Sequence, residues 1–469
     1  MGSKDNWIKE IGKIAALAIT GYMGSTWFIR KGIEKVGTNF IHRIMVDPYH
    51  ENLWEPISAS RKVGVQNIVE ANLRSQYGKV IKRPLGSPKK FPDFENVMFN
   101  VAQLHRLPVD EKQPIDTAVT IGPNAQKPLQ IKMPIMISGM AYALALSAKT
   151  KIALAKGSSL AGTATNTGEG AFLPAERKAA DKLIIQYSRG EWTKSEDVFR
   201  QADAVEIHLG QGAGAGVGSI IPSKELTWTS KRAMGVKWGK RAFIHSTIPG
   251  MWHKNQMPRL VSLLREVSGG VPVGIKIAAS KYIEKDLEIA LGAGVDYIVL
   301  DGAQAGTKGS PPMLQDDFGL PTLFALARAT KYLEKHKYKD KISLILSGGF
   351  YNPGQMLKAL ALGADAVYVG AIALFAVSHT EVLKAIPLEP PTSVVFATGK
   401  SRRKFNLEKG AKNIGNFLIG CNEEIMEGIR ALGKTSLKQV NKDDLFALDT
   451  FTSEVLDIPL GYKEIPFEE

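Results

Sequence analysis

From about residue 131 to residue 390 the chain alternates short, continuous apolar runs with longer stretches of helical periodicity. Apolar runs lie at Pro134–Gly139, Leu160–Ala164, Leu183–Ser188 and Ala204–Leu209. Four more follow at Val273–Ile277, Tyr297–Asp301, Ile342–Ser347 and Ala366–Val369. Runs this short, without polar alternation, read as strands covered on both faces. Helix-period segments at Ser147–Ala155, Met257–Val267, Ile283–Ala290, Leu320–Tyr332 and Pro353–Leu362 supply the cover. Strands alternating with helices imply a parallel sheet, and eight such units in about 250 residues fit a closed (β/α)8 TIM barrel. An open doubly wound sheet is the competing arrangement.

The flanks follow other patterns. Residues 46–130 are rich in turn residues (Pro84, Gly86, Pro88, Pro92, Pro114, Pro123, Pro128), yet apolar positions keep recurring, which predicts an N-terminal wrapping segment. Residues 391–469 read as a helical C-terminal extension. Within residues 1–45 an uncharged run, Ile14 to Ile29, lies between Lys13 and Arg30. Its sixteen residues fall short of the roughly 18–20 that span a bilayer. Two readings stay open, a membrane anchor and a soluble or packed helix. For an anchor, the cations that follow would keep the catalytic part on the cytoplasmic side.

Composition narrows the chemistry. A single cysteine, Cys421, excludes an internal disulfide, a multi-thiolate metal site and an iron–sulfur cluster held by this chain alone. No metal is expected. The net charge of +14 favours anionic ligands, phosphate-bearing cofactors among them, or simply a solvated basic surface. No basic stripe with a nucleic-acid motif accompanies it, so nucleic acid is not expected as a partner.

In a barrel the site lies at the carboxyl ends of the strands, so the residues after each strand define it. The candidates are Ser138-Gly139-Met140 after the first strand, Asn166 to Gly170 with Glu169 after the second, and Gln186 at the third. His208 ends the fourth, followed by Gln211-Gly212, and Lys276 lies near the end of the fifth. Asp301-Gly302 follows the sixth, Ser347-Gly348-Gly349 the seventh and Gly370-Ala371 the eighth. Gly-rich turns after the last two strands present backbone N–H groups to a phosphate, helped by a following helix N-terminus. Lys276, at the end of a buried strand, needs an anion. It either stabilises a reduced flavin ring or pairs with a barrel carboxylate such as Asp301. Glu169 suits general acid/base work or a hydrogen bond to a substrate nitrogen, or else caps a helix. His208 is a proton donor or a structurally satisfied histidine.

These segments carry a resemblance. Ser138-Gly139-Met140-Ala141-Tyr142, Gly162 to Gly170, Gln211-Gly212-Ala213, Asp301-Gly302, Ser347-Gly348-Gly349 and Gly370-Ala371 occur in the order found in the FMN-binding synthase domain of glutamate synthase. With Asp47-Pro48-Tyr49 and Arg83 to Lys90, the chain resembles the stand-alone FMN-binding glutamate synthase family from about residue 45 to 460. The resemblance implies FMN, with its phosphate on the turns at Ser347-Gly348-Gly349 and Gly370-Ala371. It implies an amino or 2-oxo acid substrate between Glu169 and Gln211-Gly212.

Departures bear on the substrate and the electron supply. The stretch Ser378 to Val395, comparable to the family's cluster-binding segment, has no cysteine. His208 and Gly214 stand where the family carries lysines that would clamp 2-oxoglutarate. The expected activity is an FMN oxidoreductase that reduces a 2-imino acid to an amino acid, or the reverse, by hydride transfer at flavin N5. Glu169, Lys276 and His208 would be its catalytic residues. The alternative is an FMN-binding electron-transfer or scaffold subunit that is inactive without a partner. The electron donor is unidentified: a reduced pyridine nucleotide would have to bind transiently or act through a partner, and a separate protein is the other candidate.

Overall fold

The computed structural model describes residues 27–251 and 253–464, which fall into two compact units that divide between Ile81 and Lys82. In the first unit a helix over 27–46 is followed by helices Glu55–Val63 and Val65–Tyr77. Gly64, at φ +82°, makes the break between the latter two, a backbone angle that favours glycine. Most of the run at 14–29 lies outside the described residues. No helix among the described residues is long and apolar enough to cross a membrane.

The second unit is built on eight parallel strands. They are β1 (Ile135–Ile137), β2 (Ala164–Asn166), β3 (Lys182–Tyr187), β4 (Ala204–His208), β5 (Val273–Ala278), β6 (Tyr297–Asp301), β7 (Ser343–Ser347) and β8 (Ala366–Val369). Each pairs with its sequence neighbour from β2 to β8, and β8 pairs with β1. At the remaining seam the Thr163 hydroxyl donates to the Ile135 carbonyl at 2.6 Å, and the ring is nearly closed. The TIM barrel expected from the alternating runs is therefore the fold.

Successive residues on a strand point to opposite faces. Tyr297 and Val299 join Met136, Ile184, Ile345 and Tyr368 in the barrel interior, while Ile298 and Leu300 pack outward under the helices. A hairpin, Val119–Ile121 with Leu129–Ile131, adds its apolar side chains to the interior cluster. The Gly122 N–H at its turn donates to Ser343 at the start of β7, which places the plug at the amino-terminal end of the barrel. The carboxyl end is left as the mouth.

The first helix of the barrel, Ala148–Leu160, runs five residues beyond the expected Ala155, so β2 begins at Ala164 rather than Leu160. Within the added turn Ser158 and Ser159 return their hydroxyls to the Ala155 carbonyl, at 2.8 Å and 3.0 Å. Against this helix lies the 25-residue helix Leu407–Ala431. The two meet at Gly157, where a Cβ would stand 2.2 Å from Ile414.

Candidate functional site

Around the mouth, β1 to β3 bring backbone and amides into contact. A Cβ on Gly139 would meet Gln186 Nε2 at 2.7 Å and Asn166 Oδ1 at 2.9 Å. Asn166 Oδ1 accepts from the Gly168 N–H at 2.8 Å, and its amide donates to the Tyr368 hydroxyl at 3.2 Å. Tyr368 in turn donates to Glu206 Oε2 at 2.9 Å, and Gln186 Nε2 donates to Glu206 Oε1 at 2.6 Å. This chain of buried groups fixes the Gln186 amide, because a carboxylate only accepts. Burial first, then the charge of Glu206, pushes the Tyr368 phenol well above its ordinary value, so it stays a donor. From behind, the Lys151 ammonium donates to the Asn166 carbonyl at 2.8 Å and pairs with Glu176 at 2.8 Å, both side chains buried. Met140 lies against the following loop, where a Cβ on Gly168 would meet its backbone N at 2.7 Å.

Across the mouth, Lys276 Nζ stands 3.5 Å from Asp301 Oδ2, and both side chains are buried. The same oxygen accepts from the Gly212 N–H at 3.1 Å, while Asp301 Oδ1 is buried with no hydrogen-bond partner among the described residues. Lys276 also lies 5.9 Å from the centre of the Tyr368 ring. Gln211 turns to the loop after β6 and donates to Thr307 at 2.8 Å.

Glu169 and His208 come together as well. Glu169 Oε2 is 3.3 Å from His208 Nδ1 and 3.9 Å from Arg189 Nη2. Glu169 Oε2, His208 Nδ1 and Arg189 Nε are each buried without a hydrogen-bond partner among the described residues. Buried polar groups are nearly always partnered, so this cluster, in which Glu169 and His208 face only each other and Arg189 Nε has no acceptor among the described residues, is the candidate ligand site. Burial acts to raise the Glu169 carboxyl, but His208, then Arg189 and Lys276, outweigh it and hold the group below the usual carboxylate range. Arg189 is a candidate site residue that listing strand ends missed. It follows β3 by two positions, one beyond Ser188, and its Nη1 is held by the Gly216 carbonyl at 2.6 Å. Trp192, three positions further, donates from its indole to the Glu169 carbonyl at 2.7 Å. A charged residue just past a barrel strand was the available signal.

The rim after β7 and β8 is glycine-built. Gly348 and Gly349 have φ of +114° and +80°, angles that L side chains rarely adopt. Gly302 donates to the Ser347 carbonyl at 2.9 Å, and a Cβ on Gly348 would meet Thr322 Oγ1 at 2.9 Å. The two strands pair directly, Ser347 opposite Tyr368, so their turns are neighbours. Gly370 precedes the helix Ala371–Ser378, whose first N–H groups have no intrahelical acceptor. Ser138 Oγ lies 3.1 Å from where a Gly370 Cβ would be.

A TIM barrel with glycine-built turns on one side of its mouth, and a carboxylate–imidazole–guanidinium cluster on the other, has the layout of an enzyme of the barrel class. Among solved structures, a flavocytochrome b2 mutant with pyruvate bound superposes with a TM-score of 0.51 at 17% identity, covering 85% of this chain and 90% of that one. An (S)-mandelate dehydrogenase chimera does so with a TM-score of 0.50 at 14% identity, covering 76% and 88%. At these identities the likeness shows the fold.

Sequence comparison goes further. Residues 84–435 match the family model described as the conserved region in glutamate synthase. The chain is 30% identical to an archaeal glutamate synthase [NADPH] of Archaeoglobus fulgidus, over 74% of this chain and 68% of that protein. It is 27% identical to a glutamate synthase large subunit-like protein of Rhizobium meliloti, over 88% and 97%. The chain belongs to the glutamate synthase family and is an oxidoreductase.

Proposed function

We propose that this chain is an FMN-dependent oxidoreductase that interconverts a 2-imino acid and an amino acid. The observation that carries the reading is the cluster of Glu169, His208 and Arg189, three buried polar groups with unfilled hydrogen-bonding capacity at the barrel mouth.

The residues present fit the cofactor. The turns at Ser347-Gly348-Gly349 and Gly370-Ala371 would hold its phosphate through backbone N–H groups, in a backbone whose positive φ at Gly348 and Gly349 favours glycine. Gly139, Asn166 and Gln186 would line its flat ring, and Lys276 supplies a buried cation beside it. FMN, when bound, supplies the two-electron chemistry, taking or giving a hydride at its N5.

The protein's own groups do the rest. Arg189 is suited to the substrate carboxylate, because its guanidinium is buried and its Nε is free to donate. Glu169 lies within reach of both Arg189 and His208, so a substrate carboxylate on the arginine would set its nitrogen near the acid/base pair. In one direction the Glu169–His208 pair takes a proton from an ammonium group, and in the other the same pair returns it. Burial of the cluster excludes water that would hydrolyse an imine.

Reducing equivalents would come from outside the chain. The archaeal relatives carry NADPH in their names, but no Gly-x-Gly-x-x-Gly opens a second nucleotide-binding unit in this sequence. The direct test is to purify the chain, add FMN and follow the flavin absorbance anaerobically against a panel of amino and 2-oxo acids. Bleaching by one amino acid, lost in Arg189→Gln with FMN retained, supports the reading. Bound FMN that no member of the panel changes, alone or with an artificial electron donor, would leave a carrier subunit. A colourless protein that refuses FMN would remove both.

A further inference from the structure

We propose that Glu206 lowers the reduction potential of the bound flavin, and so biases the enzyme toward reducing the imine rather than oxidising the amino acid. The inference rests on the FMN oxidoreductase reading above and adds the direction of the reaction.

Glu206 lies in mid-strand on β4, two residues before His208. Val205 and Ile207 pack outward under the helices, so alternation turns Glu206 into the barrel, just below the mouth. Its side chain is fully buried. The cross-strand neighbour on β5 is Gly274, where a Cβ would stand 2.4 Å from the Tyr297 ring. Around it the interior is largely apolar, with Ile184, Val299 and Ile345 among its residues. Taking a carboxylate out of water into such a place is costly, and an apolar side chain would fill the space more cheaply. Each of its oxygens accepts one hydrogen bond, from Gln186 Nε2 at 2.6 Å and from the Tyr368 hydroxyl at 2.9 Å.

The other charges at the mouth pair off. Lys276 is matched by Asp301 at 3.5 Å, and Glu169 has Arg189 at 3.9 Å and His208 at 3.3 Å. Glu206 is left over, held by two neutral donors that solvate its charge without cancelling it. Those donors connect it to the ring site, because Gln186 lines that site directly and Tyr368 is bonded to Asn166, which lines it too. Two electrons and one proton leave a flavin one unit more negative than before. A fixed anion nearby, in a low-dielectric interior, opposes that change and lowers the potential. The reduced cofactor is then the stronger donor. A hydride from it and a proton from the Glu169–His208 pair convert C=N to CH–NH, and the flavin is reoxidised.

The test is the potential of the FMN-loaded full chain, measured anaerobically at pH 7 against reference dyes. At a fixed potential the ratio of reduced to oxidised flavin should rise about tenfold or more in Glu206→Gln, about 30 mV upward for a two-electron couple. Glu206→Asp keeps the charge and should stay within about threefold of native. The exchange Gln186→Glu/Glu206→Gln keeps both bonds, since the new amide donates to the new carboxylate and accepts from Tyr368. It carries the test even where the single amide prevents folding, and its ratio should fall below native, because the charge moves closer to the ring. An unchanged or lower ratio in Glu206→Gln with FMN bound would overturn the proposal. So would a rise in the exchange variant, or a shift in Glu206→Asp as large as that in Glu206→Gln, which would assign the effect to fit rather than charge. A native chain that refuses FMN removes the flavin reading and this proposal together, and shows as a colourless protein before any potential is read.

Discussion

Replacing Lys276 by methionine tests the electrostatics of the mouth most sharply. The ammonium and the Asp301 carboxylate are 3.5 Å apart and almost wholly removed from solvent. At an effective dielectric near 20 their attraction is roughly 5 kcal/mol, and stranding one partner of a buried pair costs about 3–5 kcal/mol. A second route sets a ceiling. Asp301 in the variant can escape by taking up a proton, and for an aspartate that titrates near 3.9 in the unfolded chain this costs roughly 4 kcal/mol at pH 7. The expected loss is therefore about 3–4 kcal/mol at pH 7, shrinking by about 1.4 kcal/mol for each pH unit below it. Asp301→Asn in the same chain should recover most of the loss, since the Gly212 N–H still finds an acceptor in the amide oxygen. Urea unfolding of the flavin-free protein at pH 7 and pH 5, followed by tryptophan fluorescence, reads both quantities. A loss below about 1 kcal/mol, or one that does not change with pH, would mean that the pair is not held in a low-dielectric site.

Three further outcomes are expected. Glu169→Gln should lower turnover by about 10²–10⁴-fold with FMN content intact, read by steady-state kinetics beside absorbance. The Glu169 carboxyl is held below its ordinary value, so it adds stability above about pH 4.3 that is lost as pH falls through the lower folded value. The variant should lack that portion of the acid limb in a stability–pH profile. Gly349→Ala puts a Cβ 3.0 Å from Gln304 at a φ of +80°, and should cost about 1–2 kcal/mol and weaken FMN binding in a fluorescence titration. Lys151→Met strands the buried Glu176 and should cost about 3–5 kcal/mol in urea unfolding, largely restored by adding Glu176→Gln.

The barrel was legible because its strands are buried on both faces and carry continuous apolar runs. Tyr297–Asp301 and Ala366–Val369 match their expected bounds, for no polar residue interrupts them. β2 was displaced because Gly157, Ser158 and Ser159 look like a turn, while packing against Ile414 and hydroxyl bonds to Ala155 keep them helical. The short hairpin strands at Ser219 and Ala242 left no periodic signal, since three-residue strands are too brief to show alternation. At the mouth, residues in glycine-flanked strand ends could be listed directly as candidates. Arg189 could not, because its meaning lies in proximity to Glu169, twenty positions earlier in the chain and one strand away in space. Glu206 escaped notice for a similar reason. In mid-strand it looks like a surface residue, yet Gln186 and Tyr368 satisfy it inside the barrel.

One junction of the ring differs from the other seven. β1 and β2 are fastened by the Thr163 hydroxyl rather than by a run of ladder bonds, and β2 ends in the Asn166 that anchors the loop bearing Glu169. Amide exchange under native conditions should accordingly be fastest, among barrel strands, in the backbone of β2. The stave that leads into the loop bearing Glu169 is the one least tightly bound to the cask. Breathing there would widen access to a cluster whose Arg189 and His208 are buried.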